Sequence, residues 1–247
     1  MSTAFPNESR EYREAREALL RQEAELQRLM DAVTTRRRAL PPGGVVPEDY
    51  VFDRIGDDGA ATTVRMSELF GDNETLMLYN YMFPRHPGDD RPRPTSGIFS
   101  ELPATEGPCP SCTALIDMWD STIPHFDGLG GNLAIVAKAP IERVAAFARQ
   151  RGWRHVPMLS AANCSFRRDY GGDGVDGHPV PLLTVFKLWP DGSVRLHWAS
   201  ELLFLPTDGP EQDSGHPDIV DPLWSLHDLA VMPRFRRWRL RHLPANW

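Results

Sequence analysis

Two predominantly apolar runs constrain this chain more than anything else in it: "ETLMLYNYMF" at 74–83 and "NLAIVAKA" at 132–139. A strand covered on both faces reads as a continuous hydrophobic run, and a helix after such a strand points to a parallel sheet. Here the second run is followed by "PIERVAAFARQRGW" (140–153), an amphipathic pattern opened by Pro140 at its first turn, and then by "HVPMLS" (155–160), a third short strand. Further on, "PLLTVFKLWPDGSVRLHWAS" turns at Pro190, Asp191 and Gly192, a β-hairpin signal. "EDYVFD" (48–53) reads as a strand and "RMSELFG" as a short helix. Parallel strands joined by helices plus a hairpin imply an α/β fold with a mixed sheet flanked by helices. A chain of 247 residues is long enough to bury its core.

Ahead of this pattern, residues 9–38 read as one long helix. Tyr12, Leu19, Leu26 and Val33 recur every seven residues, and Ala15 and Leu29 fall on the same stripe. Ser9 suits the N-cap, Glu11 and Glu14 the positive end of the dipole, and Arg36, Arg37 and Arg38 the negative end before Pro41 and Pro42. The stripe needs a partner, either the rest of the chain or a second copy of the helix in a homodimer. The expected organisation is an N-terminal helical extension over 1–45, an α/β domain over 46–205 with a proline-rich insert at 84–108, and a C-terminal extension over 206–247.

Charge limits the partners. The net charge is −7, yet "RFRRWRLRHLPANW" at the C-terminus carries five arginines and no acid, leaving −12 on the remainder. One basic tail on an acidic body lacks the broad basic surface of a nucleic-acid binder, so no nucleic-acid partner is expected. No apolar run approaches the ~20 residues that span a bilayer, and the N-terminus shows no secretory signal, so the expectation is no membrane partner and a cytoplasmic location.

Three cysteines make no disulfide framework, but two of them, Cys109 and Cys112, form "CPSC" between the proline-rich insert and the helical stretch "TALIDMWDSTIPHF". With Pro110 at the first helical position, Cys109 becomes the N-cap and Cys112 falls in the first turn. Unpaired N–H groups at a helix start favour a thiolate, which is the nucleophile in disulfide exchange. The leading sulfur of such a pair is usually the exposed attacker and the second resolves the mixed disulfide, which assigns Cys109 and Cys112 to those roles. Their substrate would be a protein or small-molecule thiol or disulfide, and no cofactor is required.

Other readings compete. Closed structural zinc needs four ligands, and no second Cys or His pair completes a set; a copper(I) site using both thiolates and His197, His216 or His227 is the metal alternative. A thiol peroxidase would attack peroxide with the same cysteine, although the Pro-x-x-x-Thr-x-x-Cys spacing is missing, since Pro103 and Thr105 lie too close together. A dimeric binding module with idle thiols is the non-catalytic alternative. Cys164, in "AANCSF", reads as a small buried hydrophobe.

"VPLLTVFKLWPDG" (180–192) resembles the segment of thioredoxin-fold proteins in which a cis-proline precedes a strand and faces the redox pair; Pro181 is the matching position. More broadly, "SREYREAREALLRQEAELQRLMDAV", "RRRALPP", "EDYVFD", "SELFGDNETLMLYNYMF", "CPSC", "NLAIVAKAPIERVAAFARQRGW" and "DPLWSLHDL" resemble a bacterial thioredoxin-like family catalogued as domain of unknown function 899 and described as predicted dithiol-disulfide oxidoreductases. The resemblance spans roughly residues 9–230. It implies a thioredoxin-like fold and a redox role for Cys109 and Cys112, and it names no substrate. The commoner family pattern has a short loop before the cysteine pair, whereas this chain carries "PRHPGDDRPRPTSGIFSELPATEG". If that insert is a lid, Ile98, Phe99 and Leu102 should lie near Cys109.

Overall fold

The computed structural model describes residues 5–89, 96–97, 100, 102–201, 222–223 and 229–230. Two compact units divide the chain, Met1–Gly43 and Gly44–Trp247. The first holds helix α1 (Arg10–Arg38), whose Ser9 side chain accepts the Tyr12 N–H as an N-cap. No residue of α1 is buried.

The second unit is built on one sheet of seven strands. In chain order these are β1 (Val51–Ile55), β2 (Ala61–Arg65), β3 (Thr75–Tyr81), β4 (Gly131–Ala137), β5 (Met158–Ser160), β6 (Leu183–Leu188) and β7 (Val194–Ala199). Their order across the sheet is β2-β1-β5-β4-β3-β6-β7. β3 runs parallel to β4, and β4 to β5, while β6 and β7 are antiparallel to their neighbours. Parallel central strands closed by a hairpin on one side make this a thioredoxin-like α/β fold. Its α-helices among the described residues are α2 (Pro110–Asp120), α3 (Ile123–Asp127), α4 (Ile141–Arg151) and α5 (Phe166–Asp169).

Alternation along β3 and β4 divides the core into two faces. Tyr79, Tyr81, Ile135 and Ala137 point to one, joining Cys109, Cys112, Ile116, Val144 and Phe147. Leu76, Leu78, Ala134 and Val136 point to the other, with Tyr50, Phe52, Phe166 and Phe186. The apolar runs are therefore continuous because both faces are covered.

Most elements fall where the pattern put them, with specific shifts. The helix read through "TALIDMWDSTIPHF" breaks after Asp120, whose carboxylate accepts the N–H groups of Arg154, His155 and Val156 and so ties the end of α2 to the chain entering β5. Pro140 is the N-cap of α4 and lies just outside its first turn. Strand β2 and helix α5 were not anticipated. The basic tail, Ile98, Phe99, His216 and His227 lie outside the described residues.

Candidate functional site

Helix α2 starts where its proline allows: Cys109 is the N-cap in an extended conformation and Pro110 opens the first turn. Two backbone bonds seat this start on the sheet. The Cys109 N–H donates to Met82 O at 2.9 Å, and the Arg85 N–H donates to Gly107 O at 2.9 Å, joining the chain just before α2 to the chain just after β3. Thr113 Oγ1 donates to Cys109 O at 2.9 Å. Its one hydroxyl proton being spent there, Tyr81 OH donates to Thr113 Oγ1 at 2.7 Å. Tyr79, two residues earlier on the same strand face, packs edge-on against Trp119.

Both sulfurs are free of a disulfide, and both are covered, with Cys109 2% and Cys112 3% exposed. The exposed attacker expected at Cys109 is thus corrected: the docking of residues 107–109 on 82–85 carries the thiol inside. Its sulfur makes no capping bond to the first turn of α2. Burial, first, and the neighbouring Cys109 thiol, second, push the Cys112 thiol well above its ordinary range, against the opposing influence of Tyr79 and of the Met82 backbone. Burial also raises the Tyr81 phenol.

Pro181 lies immediately before β6. Asn80 on β3 donates its N–H to Leu182 O at 2.8 Å, and Tyr79 pairs with Leu183, so Pro181 comes to the end of the sheet from which α2 starts. The expected cis bond is not there. The cis peptide bond among the described residues is Phe83–Pro84, and Val180–Pro181 is trans. An extended entry held by the Val180 N–H on Gly172 O accommodates the trans form, which X–Pro bonds favour in any case.

Other reactive side chains settle elsewhere. Cys164 is partly buried against the opposite face of the sheet, where burial raises its thiol. His178 stacks edge-on against His86, centroids 4.9 Å apart, in the loop before Pro181. Leu102 packs against the cluster that contains both thiols. Among the described residues no three His, Cys, Asp or Glu side chains converge as a metal site, and no helix is long and apolar enough to cross a membrane.

One functional candidate was missed altogether. Arg167, in α5, is 1% exposed. Its guanidinium pairs with Asp173 (Nε to Oδ1, 3.3 Å) and donates through Nη1 to Val136 O at 3.1 Å, Asn80 Oδ1 at 3.4 Å and Tyr81 O at 3.5 Å. Asn80 Nδ2 is the buried side-chain polar atom without a hydrogen-bond partner among the described residues.

A model of the family described as "Bacterial protein of unknown function (DUF899)" matches residues 1–228. No curated protein matches. Among solved structures, the chain is similar to peroxidoxin BcpB from Mycobacterium tuberculosis at 18% identity, with 77% of this chain and 99% of that one covered and a TM-score of 0.42. It is similar also to the reduced 2-Cys peroxiredoxin of Plasmodium vivax (13% identity, 76% and 98% covered, TM-score 0.46) and to AhpC of Enterococcus faecalis (14%, 78% and 98%, 0.45). Likenesses this distant carry no argument about chemistry.

Proposed function

The chain belongs to the DUF899 family of bacterial proteins of unknown function, and from that premise we propose that it is a thiol-disulfide oxidoreductase whose working pair is Cys109 and Cys112. The observation that supports this is the placement of Cys109 at the N-cap and Cys112 in the first turn of α2, both in one buried cluster and neither in a disulfide. In the first step the Cys109 thiolate attacks one sulfur of a substrate disulfide, and the other sulfur leaves as a thiolate. Cys112 then gives its proton to solvent and attacks the Cys109 sulfur. The new 109–112 bond forms as the second substrate thiolate departs with the electron pair, so the substrate is reduced by two electrons and the pair is oxidised. Pro181, at the same end of the sheet, would supply backbone without a donor to an incoming peptide. The setting is cytoplasmic, where thiol pools keep the pair reduced.

In glutathione buffers of graded ratio, the wild-type protein is expected to form a 109–112 disulfide reversibly, read by mass after alkylation and peptide digestion. Persistence of both thiols at every ratio would sink this reading.

Burial favours one alternative substrate. Thiols exposed by only 2–3% are reached more readily by hydrogen peroxide than by a folded protein's disulfide. Peroxide would convert the Cys109 thiolate to a sulfenic acid with release of hydroxide, and Cys112 would condense with it to the same disulfide and water. Faster oxidation by hydrogen peroxide than by glutathione disulfide at equal concentration would select this reading.

The partner of α1 is a second copy of the chain. Leu19, Leu26, Leu29 and Val33 are 43–62% exposed on one stripe. An antiparallel pairing layers Tyr12 on Leu29 and Leu26 on Ala15, and opposes Arg16 of one copy to Glu23 of the other. Sedimentation is expected to give a dimer for the wild type and a monomer for Leu26→Glu; a monomeric wild type at micromolar concentration would rule the pairing out.

A further inference from the structure

We propose that the cavity beside the start of β4 binds an extended peptide of about four residues, which pairs with β4 and continues the sheet where β5 stops short. This goes beyond the redox reading and does not depend on it. Strand β4 starts at Gly131, but its ladder with β5 starts at Ile135, so residues 131–134 are paired on the β3 side alone among the described residues. Alternation fixes which backbone groups look into the gap. The Ile135 N–H donates to Pro157 O, and Ala137 O accepts from the Ala161 N–H. Odd-numbered residues of β4 therefore turn their N–H and C=O towards β5 and even-numbered ones towards β3. The Leu133 N–H and C=O face the cavity with no strand opposite them, and the Gly131 C=O follows on the same edge.

Two features of the sequence keep β5 from closing this gap. In a continued parallel ladder the donor to Leu133 O would be the nitrogen of residue 157, and that residue is proline, with no N–H to give. One step earlier the chain has left the sheet, because the N–H groups of Arg154, His155 and Val156 are spent on the Asp120 carboxylate. Strand β1 does not fill the space either, since its pairing with β5 is the bridge Asp53–Ser160 and Ile55 lies beyond it. What remains is a cavity of about 590 Å³. A strand residue takes up about 160 Å³ at the usual rise, strand spacing and layer spacing, so the space matches about four residues, as many as β4 leaves unpaired. Its two walls are those that a strand in this sheet would meet. Ile123, Leu133 and Met158 stand on the α3 side; Leu69, Leu76 and Leu159 stand on the side of the one-turn 3-10 helix Ser67–Phe70. Glu68, Pro124, His155 and Pro157 are exposed around it, so the cavity opens to solvent.

One class of occupant fits. An apolar small molecule would leave the Leu133 N–H and C=O without partners. A helix, about 10 Å or more across, is wider than the place of one strand, and the edge of a second folded copy would bring its own covering layers against the walls. A single extended chain, the terminus or an unfolded segment of a partner protein, satisfies the backbone of β4 and sends alternate side chains to the two apolar walls.

The probe for the test is acetyl-Thr-Val-Thr-Val-amide, added to the nitrogen-15-labelled full chain and read by amide hydrogen exchange. In the free protein the Leu133 amide should exchange faster than that of Ile135, whose N–H is bonded. With the peptide at a few millimolar, Leu133 is expected to slow at least about tenfold while α4 stays unchanged. Two analogues, N-methylated at both threonines or at both valines, each remove the donors from one edge of the peptide, and one of them should bind at least about tenfold more weakly than the parent peptide. Ile123→Trp, which fills the cavity from α3, is expected to abolish the slowing of Leu133. Equal binding by both analogues would make the cavity an apolar small-molecule site and overturn the proposal. A Leu133 rate unmoved by the peptide, or slowed as much in Ile123→Trp as in the wild type, overturns it too. Should that variant fail to fold, the two analogues decide alone. None of these readings involves the 109–112 disulfide, so failure here and failure of the redox reading are seen separately.

Discussion

Replacing Cys112 with serine is expected to leave Cys109 locked in a mixed disulfide with its substrate and to lower turnover at least about 100-fold. The argument is one of proximity. Cys112 stands in the first turn of the helix that Cys109 caps, so resolution by Cys112 is intramolecular, and well-oriented internal groups act at effective concentrations far above any external thiol. Burial makes the external route worse, because a rescuing thiol must reach a sulfur that is 2% exposed. Mass spectrometry without reductant should show the adduct on Cys109 in Cys112→Ser and none in Cys109→Ser. The raised Cys112 thiol adds a pH signature. Below its pKa the attacking thiolate grows about tenfold per pH unit, so wild-type resolution should rise steadily with pH through the neutral range. Wild-type turnover by Cys112→Ser, or a flat pH profile for resolution, would take the resolving role away from this residue.

The parts of this molecule that were legible in the chain are those written in local pattern. β3 and β4 announced themselves as apolar runs, the β6–β7 hairpin by its Pro-Asp-Gly turn, and α1 by its cap and its seven-residue spacing. Cys109 and Cys112 at the start of α2 followed from one proline. β2 escaped because "ATTVR" buries only Val64, which leaves almost no hydrophobic signal, although Asp58-Gly59 just before it is a turn signal of the kind that flags a hairpin. The depth of the thiols was illegible for a different reason. It depends on residues 107–109 docking on residues 82–85, a contact that no local pattern encodes. Arg167 shows the limit best. It stands beside Arg168 in "FRRD", and the two are alike in sequence, yet the Arg168 side chain is 76% exposed while Arg167 is enclosed. Only the meeting of α5 with β3 and β4 tells them apart. Pro181 illustrates the converse error, in which a resemblance correctly located a proline before a strand and assigned it the wrong isomer.

The largest loss of stability should come from the face of the sheet that does no chemistry. Phe166 is completely buried, with ring centroids 5.4 Å from Tyr50, 5.2 Å from Phe52, 5.3 Å from Tyr170 and 6.0 Å from Phe186. Truncation to alanine removes one ring from the centre of four others, which hold each other too firmly to collapse into the space. The expected cost is about 3–5 kcal/mol, and for a unit of roughly 200 residues that lowers the melting temperature by about 10 °C or more. Urea unfolding should show a lower midpoint with an unchanged slope. At low temperature, where the variant stays folded, the disulfide between Cys109 and Cys112 should still form, because Tyr79, Tyr81 and α2 lie on the other face.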